Sequence, residues 1–133
     1  MEEWVRVEHV AIWCRDLEAQ RAFYEAYFGA RSTGKYVNTT RGFESYFLRF
    51  DSGARLELMR VQSMPESPGE PCMPSVGLAH LAFSVGSEAR VDALTHALER
   101  AGHRVLHRPR RTGDGYYESI VLDPENNCIE LTV

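Results

Sequence analysis

Two kinds of hydrophobic pattern alternate along the first half of this chain. Residues 5–14 are rich in β-branched and aromatic side chains and predict a strand. Asp16 is a typical helix N-cap, and the apolar stripe after it predicts a helix over residues 17–28, which Gly29 ends. Further strands are predicted over residues 32–39, 43–51 and 54–61. The first half therefore predicts a β-α-β-β-β module over residues 4–61.

The same order of patterns returns after a segment rich in proline. Residues 62–76 contain four prolines, which cannot continue a helix or a sheet ladder, so this segment is predicted to be a linker. Residues 77–85 then predict a strand, and Ser87 caps a helix that Gly102 ends. Strands over residues 104–107, 116–122 and 128–133 complete a second module over residues 77–133. The sequence predicts an α+β fold made of two paired βαβββ modules, which form a curved sheet within a single domain.

Four polar residues occupy matching places in the two modules. His9 and His80 lie in the first strand of each module, 71 residues apart, and Glu57 and Glu130 lie in the last strand, 73 residues apart. A third match, Glu44-Ser45 with Glu118-Ser119, is expected in the strand before the last. By strand alternation, the two histidines and the two glutamates are predicted on the sheet face turned away from the helices.

These four residues are the candidate site. A carboxylate between aliphatic residues near the centre of a strand is costly unless a cation compensates it. For one glutamate alone, pairing with Arg55 or Arg49 or simple exposure explains it better, and a lone histidine is more often a core residue. The matched set changes this balance, since two imidazoles and two carboxylates suit one divalent metal. Such a site favours proton transfer at a carbon next to a carbonyl.

Composition and charge exclude several other classes of protein. The formal net charge of the 133 residues is −4, which argues against general nucleic-acid binding. No apolar run is long enough to cross a bilayer, and the acidic start of the chain does not resemble a signal peptide. Cys14, Cys72 and Cys128 are odd in number and form no C-x-x-C pair, so reduced thiols in the cytoplasm are expected rather than a disulfide.

The chain resembles the vicinal oxygen chelate superfamily, which includes glyoxalase I, methylmalonyl-CoA epimerase, extradiol dioxygenases and bleomycin-resistance proteins. The resemblance covers nearly the whole chain and is carried by five stretches: Val-Glu-His9-Val-Ala-Ile, Ala22-Phe23-Tyr24 with Phe28-Gly29, Leu-Glu57-Leu, Gly77-Leu-Ala-His80-Leu-Ala-Phe-Ser-Val, and Asp123-Pro124 with Ile-Glu130-Leu. It implies the same paired modules around a metal ion.

Within that superfamily, the ligand order His, Glu, His, Glu is similar to bacterial glyoxalase I. The resemblance implies His9, Glu57, His80 and Glu130 as ligands of one divalent ion, zinc or nickel before cobalt, manganese or iron, with Glu57 and Glu130 as base candidates. It implies a lactoylglutathione lyase type of enzyme, a small-molecule substrate and a homodimer. The site forms either within one chain or across the dimer. At two positions that serve glutathione in glyoxalase I, this chain has Trp13 and Val61, so the resemblance does not extend to glutathione recognition.

Two alternatives stay open beside the lyase. One is a metal-dependent epimerase or extradiol-type dioxygenase of the same fold, although the epimerases usually have glutamine at the position of Glu57 and the dioxygenases have no ligand there. The other is a resistance protein that binds a small molecule and catalyses nothing.

Overall fold

The protein is described by a computed structural model that covers residues 3–66 and 69–133. The chain divides into two compact units, Met1–Glu66 and Ser67–Val133. Each unit has one helix and one sheet whose first and last strands are parallel neighbours. The predicted α+β class, built from βαβββ modules, is confirmed. None of the helices among the described residues is long and apolar enough to span a membrane.

The first unit contains one helix and a five-stranded sheet. Helix α1 spans Leu17–Phe28, as predicted, and the Asp16 side chain accepts a hydrogen bond from the Ala19 backbone N–H at 3.0 Å. Gly29 ends the helix in the left-handed conformation, which costs glycine little because it lacks a Cβ. The strands are β1 (His9–Trp13), β2 (Arg31–Ser32), β3 (Tyr36–Asn38), β4 (Phe43–Arg49) and β5 (Arg55–Val61). Their order is β1-β5-β4-β2, and β3 also pairs with β4.

The second unit contains one helix and a four-stranded sheet. Helix α2 spans Glu88–Arg100, and the Ser87 hydroxyl accepts from the Arg90 backbone N–H at 3.2 Å. The strands are β6 (Leu81–Ser84), β7 (Val105–Arg111), β8 (Tyr117–Leu122) and β9 (Cys128–Thr132), in the order β6-β9-β8-β7. The turn between β8 and β9 is organised by Asp123, whose carboxylate accepts from the backbone N–H groups of Glu125 and Asn127, both at 2.9 Å.

In each unit the core lies between the helix and one face of the sheet. Leu48, Leu56 and Leu58 are buried against α1, and Val121, Ile129 and Leu131 are buried with the apolar side of α2. Leu56, Leu58, Ile129 and Leu131 directly flank Glu57 and Glu130 along the chain, so strand alternation places them on the face opposite the two glutamates. The opposite face of each sheet is therefore left for the polar candidates.

The structure corrects several predicted boundaries. The first strand is His9–Trp13 rather than residues 5–14, because only these residues have register partners on β5. The predicted strand over residues 32–39 is divided into β2 and β3. The predicted linker includes Ser67 and Pro68, and the predicted N-terminal segment includes Met1 and Glu2; these four residues lie outside the described residues.

The expectation of three reduced cysteines is wrong. Cys72 and Cys128 form a disulfide, with a Cα–Cα distance of 5.3 Å, and Cys14 is a buried thiol. The two bonded residues are 56 positions apart, one in the segment before β6 and the other at the start of β9. Sequence spacing gave no sign of the pairing because the folding of the second unit brings these distant segments together.

Candidate functional site

His9 and Glu57 meet on the open face of the first sheet. Nε2 of His9 lies 3.6 Å from Oε1 of Glu57, and the Glu57 side chain is largely buried. Parallel pairing of β1 with β5 produces this contact, since Ala11 is the register partner of Glu57 and His9 lies two residues earlier on the same face. The ring of Phe47, the β4 partner of Glu57, stands edge-on to the His9 ring at 5.2 Å.

The other nitrogen of His9 is held by a carboxylate. Nδ1 of His9 lies 2.9 Å from Oε1 of Glu8, and Glu8 in turn accepts hydrogen bonds from Arg55 at 2.7 and 3.2 Å. The Arg55 guanidinium and the His9 ring lower the pKa of Glu8 to about 2. Metal-binding histidines typically have a carboxylate beside the ring nitrogen that does not bind the metal, and Glu8 occupies this place beside Nδ1 of His9.

The contact between Glu8 and Arg55 also concerns the alternative in which Arg55 is the ion-pair partner of Glu57. Arg55 directs its guanidinium to Glu8 and not to Glu57. Sequence reasoning missed the roles of Glu8 and Arg55. Alternation places Glu8 on the other side of the chain from His9, and only the side-chain conformations bring Glu8 back to the ring.

The second sheet repeats the pair. Nε2 of His80 lies 3.2 Å from Oε2 of Glu130, and Glu130 is buried to almost the same extent as Glu57. His80 immediately precedes β6, and Ala82 is the register partner of Glu130, as Ala11 is of Glu57. The two modules therefore build equivalent pairs from equivalent strand positions.

A further carboxyl group in the second unit was missed as a site residue. Burial, together with the hydrogen bond and the negative charge of the neighbouring Glu130, raises the pKa of Glu118 above its ordinary value. Its backbone pairs with Thr132, two residues after Glu130 on the same face.

The expected match between Glu44 and Glu118 is wrong by one position. Phe47 pairs with Glu57 and Ile120 pairs with Glu130, so Ser45 is the true counterpart of Glu118. Glu44 lies on the opposite face and forms an ion pair with Lys35 at 3.3 Å. No sequence pattern identified Glu118, because its place on the site face depends on the register between β8 and β9.

Each pair contains two side chains of the types that bind divalent metal ions. Among residues 3–66 and 69–133, no three histidine, cysteine, aspartate or glutamate side chains converge as a metal-binding group. The donor chemistry of each pair, one imidazole nitrogen and one carboxylate oxygen, suits divalent zinc or nickel.

Comparison with known proteins agrees with the α+β fold of βαβββ modules. Residues 6–131 match the model of the Glyoxalase/Bleomycin resistance protein/Dioxygenase superfamily. The chain belongs to this superfamily. The membership inferred from its motifs is thereby confirmed.

Relatives within the superfamily include the uncharacterized protein YqjT of Bacillus subtilis (strain 168). It is 33% identical over 129 residues, which cover 94% of this chain and 96% of YqjT. A superfamily domain from Frankia sp. EAN1pec has the same fold, with a TM-score of 0.81, 19% identity and 98% of both chains covered. Glyoxalase I from Zea mays superposes with a TM-score of 0.76 and 19% identity, and the match covers 96% of this chain but 44% of the maize protein.

Proposed function

We propose that this protein is a metal-dependent lyase or isomerase similar to glyoxalase I, which moves a proton between carbons next to a carbonyl in a small α-oxo-aldehyde adduct. The observation that carries the proposal is the matched pair of contacts, His9 with Glu57 and His80 with Glu130, at equivalent positions of two duplicated sheets. Two such pairs on one divalent ion give the His, Glu, His, Glu ligand set.

Each of the four residues has a defined chemical role in this proposal. His9 and His80 would hold the ion through Nε2, with Glu8 orienting the His9 ring. The ion, when bound, would polarise the substrate carbonyl oxygen as a Lewis acid. The carboxylate of Glu57 or Glu130 would take a proton from the carbon beside that carbonyl and return it to the neighbouring carbon. A homodimer, the cytoplasmic location and the choice between zinc and nickel stay predictions.

Metal analysis of the purified protein tests the site. We expect about one divalent ion for each set of four ligands, and its loss in both His80→Ala and Glu130→Ala. His96→Ala is the matched control, because His96 lies exposed on α2 and belongs to neither pair. Full metal retention in both site variants would disprove the ligand assignment.

An activity assay tests the reaction. With methylglyoxal and a thiol, we expect turnover that depends on the divalent ion and falls by at least about 100-fold in Glu57→Gln or Glu130→Gln, the usual contribution of a general base. Running the assay with glutathione and with other thiols separately identifies the thiol. Oxygen uptake on catechols, with no methylglyoxal turnover, would support the dioxygenase alternative instead.

A further inference from the structure

A row of side chains with an aromatic ring at each end crosses the open face of the first sheet beside Glu57. Trp13 pairs with Met59, Met59 pairs with Ser45, and Ser45 pairs with Tyr36, on strands β1, β5, β4 and β3. Register partners lie on the same face of a sheet, so these four side chains stand next to one another. We call Trp13, Met59, Ser45 and Tyr36 the aromatic row.

The two ends of the aromatic row are exposed to solvent, whereas Ser45 within the row and Phe43 beside it are buried. Trp13 and Tyr36 are 51% and 54% exposed, whereas Ser45 is 3% exposed and the neighbouring Phe43 ring 7%. Both outer rings meet Phe43 at steep angles, with centroid distances of 6.3 and 6.0 Å, and the Arg41 guanidinium lies 4.7 Å from the Phe43 centroid. The ring surface left for another molecule therefore belongs to Trp13 and Tyr36.

The position and dimensions of the aromatic row suit the end of a small substrate. Trp13 and Tyr36 are three strands apart, roughly 14 Å at the backbone, with Met59 and Ser45 between them. The next row toward the site contains Ala11, Glu57 and Phe47, about 7 Å along the strands. A planar ring packed against the exposed part of Trp13 would thus lie beside the row that contains Glu57, and its substituent would reach the His9–Glu57 pair.

The fold itself does not require aromatic residues here. In the second sheet the corresponding row is Ser84, Thr132 and Glu118, which are all polar. The two modules keep the same His–Glu pair but differ in the row beside it. The aromatic row is therefore particular to the first unit and is not a general feature of the βαβββ module.

We propose that the aromatic row binds a planar aromatic group at the non-reacting end of an α-oxo substrate. The α-oxo group of this substrate rests on the proposed function, whereas the aromatic group rests on the aromatic row alone. Aromatic rings stack or pack edge-to-face on exposed tryptophan and tyrosine with a gain beyond simple burial. Trp13 is then a specificity-determining residue, and Tyr36 supports it from the other side.

Calorimetric titration with phenylglyoxylate and with pyruvate, which differ by the aromatic ring, tests the proposal. We expect wild type to bind phenylglyoxylate more tightly, and Trp13→Ala to weaken that binding by about 3–10-fold with no change for pyruvate. Trp13→Phe should restore most of the affinity. Trp4→Ala is the matched control, because Trp4 is similarly exposed at 67% but lies outside the sheet.

The same titration in Glu57→Gln separates this proposal from the proposed reaction. Ring preference that persists in a variant without turnover supports the aromatic row even if no lyase activity is found. An active enzyme whose ratio of kcat/KM for phenylglyoxal over methylglyoxal is unchanged in Trp13→Ala would overturn the aromatic row alone. Equal affinity of wild type for both acids, or a folded Trp13→Ala variant that changes only the oligomeric state, would also overturn it.

Discussion

At the scale of single residues, the sequence predicted the role of a side chain wherever its partners lie close to it along the chain. Asp16, Ser87 and Gly29 cap the helices as predicted, because a cap satisfies backbone groups three or four positions away. Glu8 was different, since its partner Arg55 is 47 positions distant. Its effect on His9 became visible only with the side chains in place.

Glu18 provides a prediction at this scale. Its carboxylate accepts from the Tyr46 hydroxyl at 2.8 Å and lies 3.2 Å from Nζ of Lys35, and these contacts lower its pKa. A carboxyl with a lowered folded-state pKa stabilises the protein above its ordinary pKa near 4.5, and this stabilisation is lost as the pH falls below that value. We expect Glu18→Gln to melt a few degrees below wild type at pH 7 and to approach it near pH 3.

Thermal melts across that pH range provide the measurement. Tyr46→Phe removes the first contact and should reproduce part of the effect, while Glu70→Gln, at an exposed position, should not. A difference between Glu18→Gln and wild type that is constant from pH 7 to pH 3 would contradict the assignment.

At the scale of elements, periodicity identified both helices and the position of most strands. Strand ends were less predictable because hydrogen-bonded partners define them, as the short β1 and the divided β2 and β3 show. The contact between helix and sheet also escaped the sequence. Thr95 on α2 is buried, and its hydroxyl donates to the Val91 carbonyl at 2.6 Å and lies 2.7 Å from the Ser119 hydroxyl on β8.

This contact predicts that a single substitution at Thr95 lowers the free energy of unfolding more than a double substitution at Thr95 and Ser119. Thr95→Val leaves the buried Ser119 hydroxyl without this partner, so we expect a loss of about 1–3 kcal/mol in the free energy of unfolding. Adding Ser119→Ala removes the unsatisfied group and should restore part of the loss. Urea denaturation measures both, and a double variant that is less stable than Thr95→Val would count against the explanation.

At the scale of the whole molecule, comparing the two modules shows which features they share and which belong to one module alone. The modules share fold, register and a His–Glu pair, yet their open faces differ in polarity beside that pair. The Cys72–Cys128 disulfide occurs in the second unit and links the segment before β6 to β9. Disulfides are unusual in reducing compartments. The stability of this protein therefore depends on whether its surroundings keep the Cys72–Cys128 bond oxidised.

The disulfide gives a prediction for the intact protein. Under oxidising conditions, peptide mapping without reductant should find Cys72 linked to Cys128 and Cys14 as a thiol. Cys72→Ser should then unfold with about 2–4 kcal/mol less stability than wild type, because the cross-link restricts the unfolded chain. Adding a dithiol reductant should remove that difference. A difference that persists after full reduction would show that the serine itself, and not the lost bond, is responsible.

The sequence alone determined the module order, both helices with their caps and the duplicated positions of His9, Glu57, His80 and Glu130, because these depend on local periodicity and on repetition along the chain. The tertiary structure decided that His9 meets Glu57 and His80 meets Glu130, that Glu118 lies close enough to Glu130 for its pKa to be raised, and that Cys72 bonds Cys128. Each of these contacts joins residues that are distant in sequence. Strand order, register and side-chain conformation set such contacts, and local patterns contain none of these.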